Sequence, residues 1–323
     1  MTTNKAGYMA KGRDLNKRVL TRAVALVLTL LFISALVSGC GGKPAGGGPP
    51  RDNTPEVLVP QAPGEATAGE SGLIVIDYSN VSNGYFVVQY AGENPTVKLL
   101  VTRGDMPQYS FFLPIMAVNV IPLTYGDGTY KINVYENIDT NGIGDQYHEI
   151  FNMSFDVAIS DEYLPFLYPN QYVNFNAESA AVAQGAKIVE GASSELEAIE
   201  MVFDYMIDNI KYDYDFAAAG PPVDYLPDID TTLATGKGIC FDFAALMTAI
   251  LRSQRLPTQL VTGYAGSIPH AWIGVHSRET GKIININFDG EQWKKMDPTL
   301  AATAGGAADF VGDGSDYQEL YRY

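Results

Sequence analysis

Cysteine is nearly absent from this chain of 323 residues, which holds only Cys40 and Cys240. There is no CxxC pair, and two thiols make no ligand cluster, so a redox couple or a cysteine-held metal is a weak reading. Histidine is almost as scarce, with His148, His270 and His276 the only three. Basic residues are few as well: 21 Lys and Arg against 37 Asp and Glu give a formal net charge of −16. That balance argues against a nucleic-acid partner, which demands a basic patch for phosphates. The apolar run Ala23–Val37 is too short for a spanning helix, which needs about 20 residues.

Lys5, Lys11, Arg13, Lys17, Arg18 and Arg22 stand in front of that run, which ends in Leu36-Val37-Ser38-Gly39-Cys40. A basic head and a short apolar stretch suit a secretion signal. The ending resembles a bacterial lipoprotein signal, in which an apolar residue and two small ones precede a cysteine. The resemblance implies removal of residues 1–39, a lipid on the Cys40 sulfur and a chain tethered to the cell membrane outside the cytoplasm. A lipidated Cys40 could not pair with Cys240. Cys240 is then a free thiol, either a small buried hydrophobe or a functional group. Residues 40–71 are rich in Gly, Pro and Ala and predict a flexible linker.

Residues 72–168 read as β structure. Phe151, Met153, Phe155, Val157 and Ile159 alternate with smaller or polar residues, and Tyr130, Ile132 and Val134 do the same. Further short runs at 73–78, 85–90 and 97–102 suggest a small sandwich of immunoglobulin or fibronectin type, without the paired cysteines and Trp of an antibody domain. Asp139-Thr140-Asn141-Gly142-Ile143-Gly144-Asp145 looks slightly like a calcium loop, but Ile150 stands where the bidentate Glu belongs. It is read as a hairpin tip, and no metal or cofactor is expected.

Residues 169–323 predict helices first and strands after, hence an α+β fold. A helix is expected at 177–190, and another after the capping-box sequence Ser194-Glu195-Leu196-Glu197. A loop covers 217–230 and could close over a site. A third helix runs from Cys240 to about Arg255, where Pro257 stops it. Strands are expected at 258–265, 270–276, 282–288 and 291–296.

The helix that opens at Cys240 is apolar nearly all round, with Ile239, Phe243, Leu246, Met247, Ile250 and Leu251, and so predicts burial. A thiol in its first turn faces unpaired N–H groups and the positive end of the dipole, which favour thiolate and could hold an oxyanion. Gly236 and Gly238 keep the approach open. Such a nucleophile needs a base and an orienting group. His270 and His276 share one face of the strand HAWIGVH, too far apart to serve one sulfur together.

GKGICFDFAALMTAILRSQRLPTQLVTGY, PHAWIGV and WKKMDPT, spread over about 176–303, resemble the catalytic core of the transglutaminase-like superfamily. The resemblance implies a papain-like core, with a nucleophile helix packed on an antiparallel sheet. It assigns Cys240 as nucleophile, His270 as general base and acid, and Asp297 as the group that orients the imidazole; His276 takes no role. Tyr212 could add an oxyanion donor or pack the core. The insertion KIININFDG falls between histidine and aspartate. A plain meander would put Asp289 near His270 and Asp297 beside His276. Asp289-Gly290 reads better as a hairpin turn, so 282–288 is expected to be an outer addition, with 291–297 pairing directly against 270–276. The implied activity is attack on an amide or peptide bond through a thioester, resolved by an amine or by water, on a protein or peptide substrate, free or associated with the cell wall. The competing class is a non-catalytic surface scaffold or adhesin on the same fold.

Overall fold

The computed structural model describes residues 51–65, 67–68, 72–139, 146–303 and 316–323. Cys40, residues 1–39 and the hairpin tip beyond Asp139 lie outside the described residues.

The first strands are β1 (Thr67–Ala68), β2 (Ile74–Asp77), β3 (Tyr85–Tyr90), β4 (Val97–Arg103), β5 (Tyr109–Phe112), β6 (Val118–Pro122), β7 (Gly128–Asn137) and β8 (Tyr147–Val157). They form two antiparallel sheets, β1-β2-β3-β6 and β5-β4-β7-β8. Alternation does the sorting. Tyr130, Ile132 and Val134 of β7 are buried, as are Phe155 and Val157 of β8, and they meet Ile76, Phe86 and Val88. Strands β5 and β6 belong to this sandwich although the sequence gives them only weak period-two patterns.

The second half runs α1 (Ala180–Ile188), α2 (Glu195–Asn209), β9 (Lys211–Tyr212), α3 (Tyr214–Ala219), α4 (Ile229–Thr235), β10 (Lys237–Gly238) and α5 (Cys240–Ser253). Then come β11 (Thr258–Ala265), β12 (Ile268–Val275), β13 (Thr280–Ile283), β14 (Ile286–Asp289), β15 (Lys294–Met296), α6 (Pro298–Thr303) and β16 (Tyr317–Arg322). The architecture is α+β: helices pack on the antiparallel sheet β15-β12-β11-β16, behind a strand-rich N-terminal region.

Helix α5 is the hub. Every residue from Asp242 to Ser253 is buried, as an all-round apolar helix must be. Gly185 of α1 lets Ile250 approach; a Cβ there would stand 2.9 Å from Ile250 Cγ2. Helix α2 starts as its sequence predicts: Ser194 Oγ accepts from Glu197 N at 3.0 Å, and the Glu197 carboxylate accepts from Ser193 N at 2.8 Å. At the far end of α5, Arg255 takes the left-handed conformation (φ 63), and Leu256 N donates to Leu251 O at 3.1 Å, closing the helix before Pro257. The fully buried Arg252 donates to Thr258 O (2.9 Å), Tyr168 O (2.6 Å) and Tyr323 O (2.7 Å). Burial lowers its pKa to about 9.

Three elements differ from the sequence expectation. The region 282–288 is no single strand but part of the hairpin β13–β14, which turns at Ile284 and Asn285, both left-handed (φ 47 and 63). An isoleucine in that conformation is rare, so the turn is hidden in an apolar run. The region 217–230 is not a bare loop, because α3 and α4 occupy its ends. The third element is the part of the linker 40–71 that the structure describes. Its described residues 51–65 are laid along the fold as a strap. Glu56 N donates to Ser253 O at 2.8 Å, Arg51 to Gln254 O at 2.7 Å, Asn53 to Ala192 O at 2.9 Å and Gln61 N to Tyr85 OH at 2.8 Å. Composition predicts freedom because it counts apolar surface; the strap is held by polar bonds to a helix end that needs partners. Each such bond contributes about 0.5–1.5 kcal/mol. Deleting residues 51–64 is therefore expected to cost about 2–4 kcal/mol, read as a lower urea midpoint at unchanged slope.

Candidate active site

Cys240 is the first residue of α5 and is half-buried. The first helical bonds run from Asp242 N and Phe243 N to Ile239 O, so the Cys240 and Phe241 N–H groups precede them at the positive end of the helix. Asp242 fixes this turn. Its Oδ2 accepts from Ile239 N at 2.8 Å and its Oδ1 from Tyr225 OH at 2.6 Å. Burial raises the Asp242 pKa, against the two hydrogen bonds. The turn also depends on Gly238, where a Cβ would lie 2.5 Å from Asp242 Cβ. Contact that close forces the backbone to move. Gly238→Ala is expected to destabilise the fold by about 2 kcal/mol or more and to slow alkylation of Cys240; an unchanged melting temperature would contradict this packing.

His270 lies on β12 and Asp297 follows β15. Strand β15 pairs directly with β12, Ile273 opposite Met296 and Val275 opposite Lys294, while β13–β14 forms a separate hairpin. The insertion is thus an outer addition and the plain meander does not form. His270 Nε2 is 2.7 Å from Asp297 Oδ2, with the side chains 8% and 1% exposed. Asp297 is rigid because it also caps α6: its Oδ1 accepts from Leu300 N at 2.9 Å. The pair Asp297-Pro298 is a helix start in two residues, acceptor at the cap and proline at the first helical position.

Burial alone would push the His270 pKa down. Hydrogen bonds with Asp297 and with Cys240, and the charges of both, outweigh it and raise the value to about 9. Nε2 is occupied by Asp297, which leaves Nδ1 for the sulfur. The nucleophile, the imidazole and the carboxylate named from sequence therefore come together. His276 does not join them. It is buried, its Nε2 lies 3.1 Å from Tyr163 OH, and burial lowers its pKa.

Cys240 and His270 open into a cavity of about 540 Å³ walled by Tyr212, Phe241, Thr262, Tyr264 and Tyr321 among others. Tyr212 is placed by a two-residue parallel bridge, β9 against β10, with Tyr212 opposite Gly238. Burial and the neighbouring Cys240 raise its pKa, so it stays a hydroxyl donor. It lines the cavity and also packs against the edge of the core. Phe241, Thr262 and Tyr321 also wall a second cavity of about 410 Å³ that reaches Ser110 and Phe112 of the sandwich. The segment 217–226 contributes Ala217 and Pro221 to the first wall and Pro221–Leu226 to the second.

Tyr317 is a neighbour that sequence reasoning missed. Its hydroxyl donates to Asp297 Oδ2 at 2.7 Å, and its ring packs edge-on against Trp272 at 4.9 Å. No pattern in the short strand β16 marks it; only the pairing of β16 with β11 does.

Comparison with known families matches residues 182–298 to the core of the transglutaminase-like superfamily. No curated protein matches the chain. Among solved structures, the chain is similar to a candidate cysteine protease from Cytophaga hutchinsonii (12% identity, 74% of this chain and 75% of that one, TM-score 0.37). It is also similar to LapG of Legionella pneumophila (15% identity, 43% and 72%, TM-score 0.29). A third similar structure is red sea bream transglutaminase (13% identity, 69% and 49%, TM-score 0.29). Residues 182–298 of this chain are a transglutaminase-like superfamily domain.

Proposed function

We propose that this chain is a cysteine enzyme that attacks amide or peptide bonds through a thioester, with Cys240 as nucleophile, His270 as base and acid and Asp297 as orienting group. The observation that carries the reading is the buried His270–Asp297 pair at 2.7 Å beside a helix-start cysteine in one open cavity. His270 Nδ1 takes the thiol proton. The thiolate forms a C–S bond to the carbonyl carbon, and the carbonyl π pair moves to oxygen. The Cys240 N–H, free of the first helical bonds, and the Tyr212 hydroxyl, in the same cavity, are the proposed donors for that oxyanion. Collapse breaks the C–N bond, and the imidazolium gives its proton to the departing nitrogen. Water or an amine then adds to the thioester, its proton returns to His270, and the C–S bond breaks to restore the thiolate.

The substrate is a protein or peptide, and two cavities that share the walls Pro221, Phe241, Thr262 and Tyr321 give an extended chain room beside the sulfur. The leader supports the location: an extracytoplasmic protein held to the membrane by a lipid on Cys40. The test is incubation with denatured casein and hydroxylamine. Ammonia or new amine termini, together with hydroxamate, are expected from the parent and not from Cys240→Ala. A parent that yields none of these would turn the reading to a non-catalytic scaffold or adhesin.

A further inference from the structure

We propose that Tyr317 is a positioning residue of this site: it shares the Asp297 oxygen with His270 and so limits how tightly the carboxylate holds the imidazolium, linking the β-sandwich to the triad. The proposal rests on the reading of Cys240, His270 and Asp297 given above.

The geometry has three parts. First, Asp297 Oδ2 accepts from both His270 Nε2 and Tyr317 OH, each at 2.7 Å, while Oδ1 is committed to Leu300 N. Two donors on one oxygen divide its charge, so each weakens the other's hold. Second, Lys295 Nζ sits 3.4 Å from the centre of the Tyr317 ring. A cation on the ring face polarises the phenol and makes its O–H a stronger donor. Burial first, and then the Asp297 charge, raise the Tyr317 pKa, so the proton stays on the phenol across the range in which His270 titrates. Third, Tyr317 rides on β16, which the sandwich grips. Tyr109 OH and Thr124 Oγ1 both donate to Arg322 O, at 2.9 and 3.1 Å, and the Tyr109 ring lies 5.2 Å from that of Tyr321. Gly263 lets β16 come close, since a Cβ there would stand 2.0 Å from Gln318 O.

The ionisable groups that face this pair come from every neighbouring element. They are Cys240 from α5, Tyr317 from β16, Lys295 from β15 acting through the Tyr317 ring, and Tyr212 from β9 facing Cys240.

The experiment is Tyr317→Phe in the full-length chain, which keeps the ring against Trp272 and Lys295 and removes only the O–H. Two readings are taken: the NMR titration of His270, separable because the chain has three histidines, and the rate, against pH, at which iodoacetamide labels the Cys240 peptide, by mass spectrometry. With one donor gone, more carboxylate charge faces the imidazolium. The His270 midpoint is expected to rise above its parent value by up to about one pH unit, the tenfold scale of one charge-assisted hydrogen bond, and the pH below which labelling falls away is expected to move lower, because a better-held imidazolium keeps the sulfur ionised. A midpoint that stays or falls would overturn the proposal, as would an acid limit of labelling that stays or rises. The NMR reading needs no substrate. A parent that proves inactive therefore refutes the catalytic reading alone, and an unmoved midpoint in an active parent refutes this proposal alone.

Discussion

Cys240→Ala is expected to remove amide turnover by at least about ten-thousandfold, down to the background that binding and oxyanion donors sustain without a nucleophile. The size follows from the chemistry. Without the sulfur there is no thioester, and neither His270 nor Asp297 has a bond to make. The fold is expected to survive, because Cys240 is half-buried at a helix start and alanine is a good helix former. Matched melting curves with activity lost would separate a catalytic from a structural thiol. Activity retained within tenfold would exclude Cys240 as the nucleophile.

Asp297→Asn is expected to lower turnover by about ten-thousandfold, the scale seen when an orienting carboxylate becomes an amide and the imidazole is held in the wrong tautomer. The substitution is clean because asparagine caps a helix as well as aspartate, so the bond from Leu300 N survives. The titration of His270 reports the same change independently. Burial is the largest single influence on it and acts downward; Asp297 supplies much of the opposing push to about 9. Without that carboxylate the midpoint is expected to fall to near 6.5 or below. The sign carries over to stability. The folded pKa lies above the ordinary 6.5, so the stabilisation from His270 is complete below about 6.5 and is lost as pH rises through about 9. In Asp297→Asn that loss of stability between pH 6.5 and 9 is expected to vanish. A variant that keeps both the parent midpoint and the parent slope would show that the carboxylate does not hold the ring.

The site is legible in the sequence where one residue does two jobs. Cys240 marks both a helix start and a thiol, and Asp297-Pro298 marks both a cap and the carboxylate that meets His270, so motif and local geometry agree. His270 is legible through the PHAWIGV motif and not through period two, which puts His276 on the same face; its partner Asp297 depends on the direct pairing of β15 with β12. Tyr317 is invisible because its role is set by tertiary pairing alone. The hairpin β13–β14 is hidden by an isoleucine in a left-handed turn, and the strap at 51–64 by a composition that also describes loose chain. In each case local preference yields to a contact made far away in sequence.

The most direct measurement is the pH dependence of Cys240 alkylation in the parent beside His270→Ala. An ordinary thiol loses reactivity as pH falls below about 8.5. The account predicts that the parent still reacts rapidly below pH 7 and that the variant does not, because the sulfur then lacks its imidazolium partner. Identical profiles for parent and variant, both following an ordinary thiol, would contradict it.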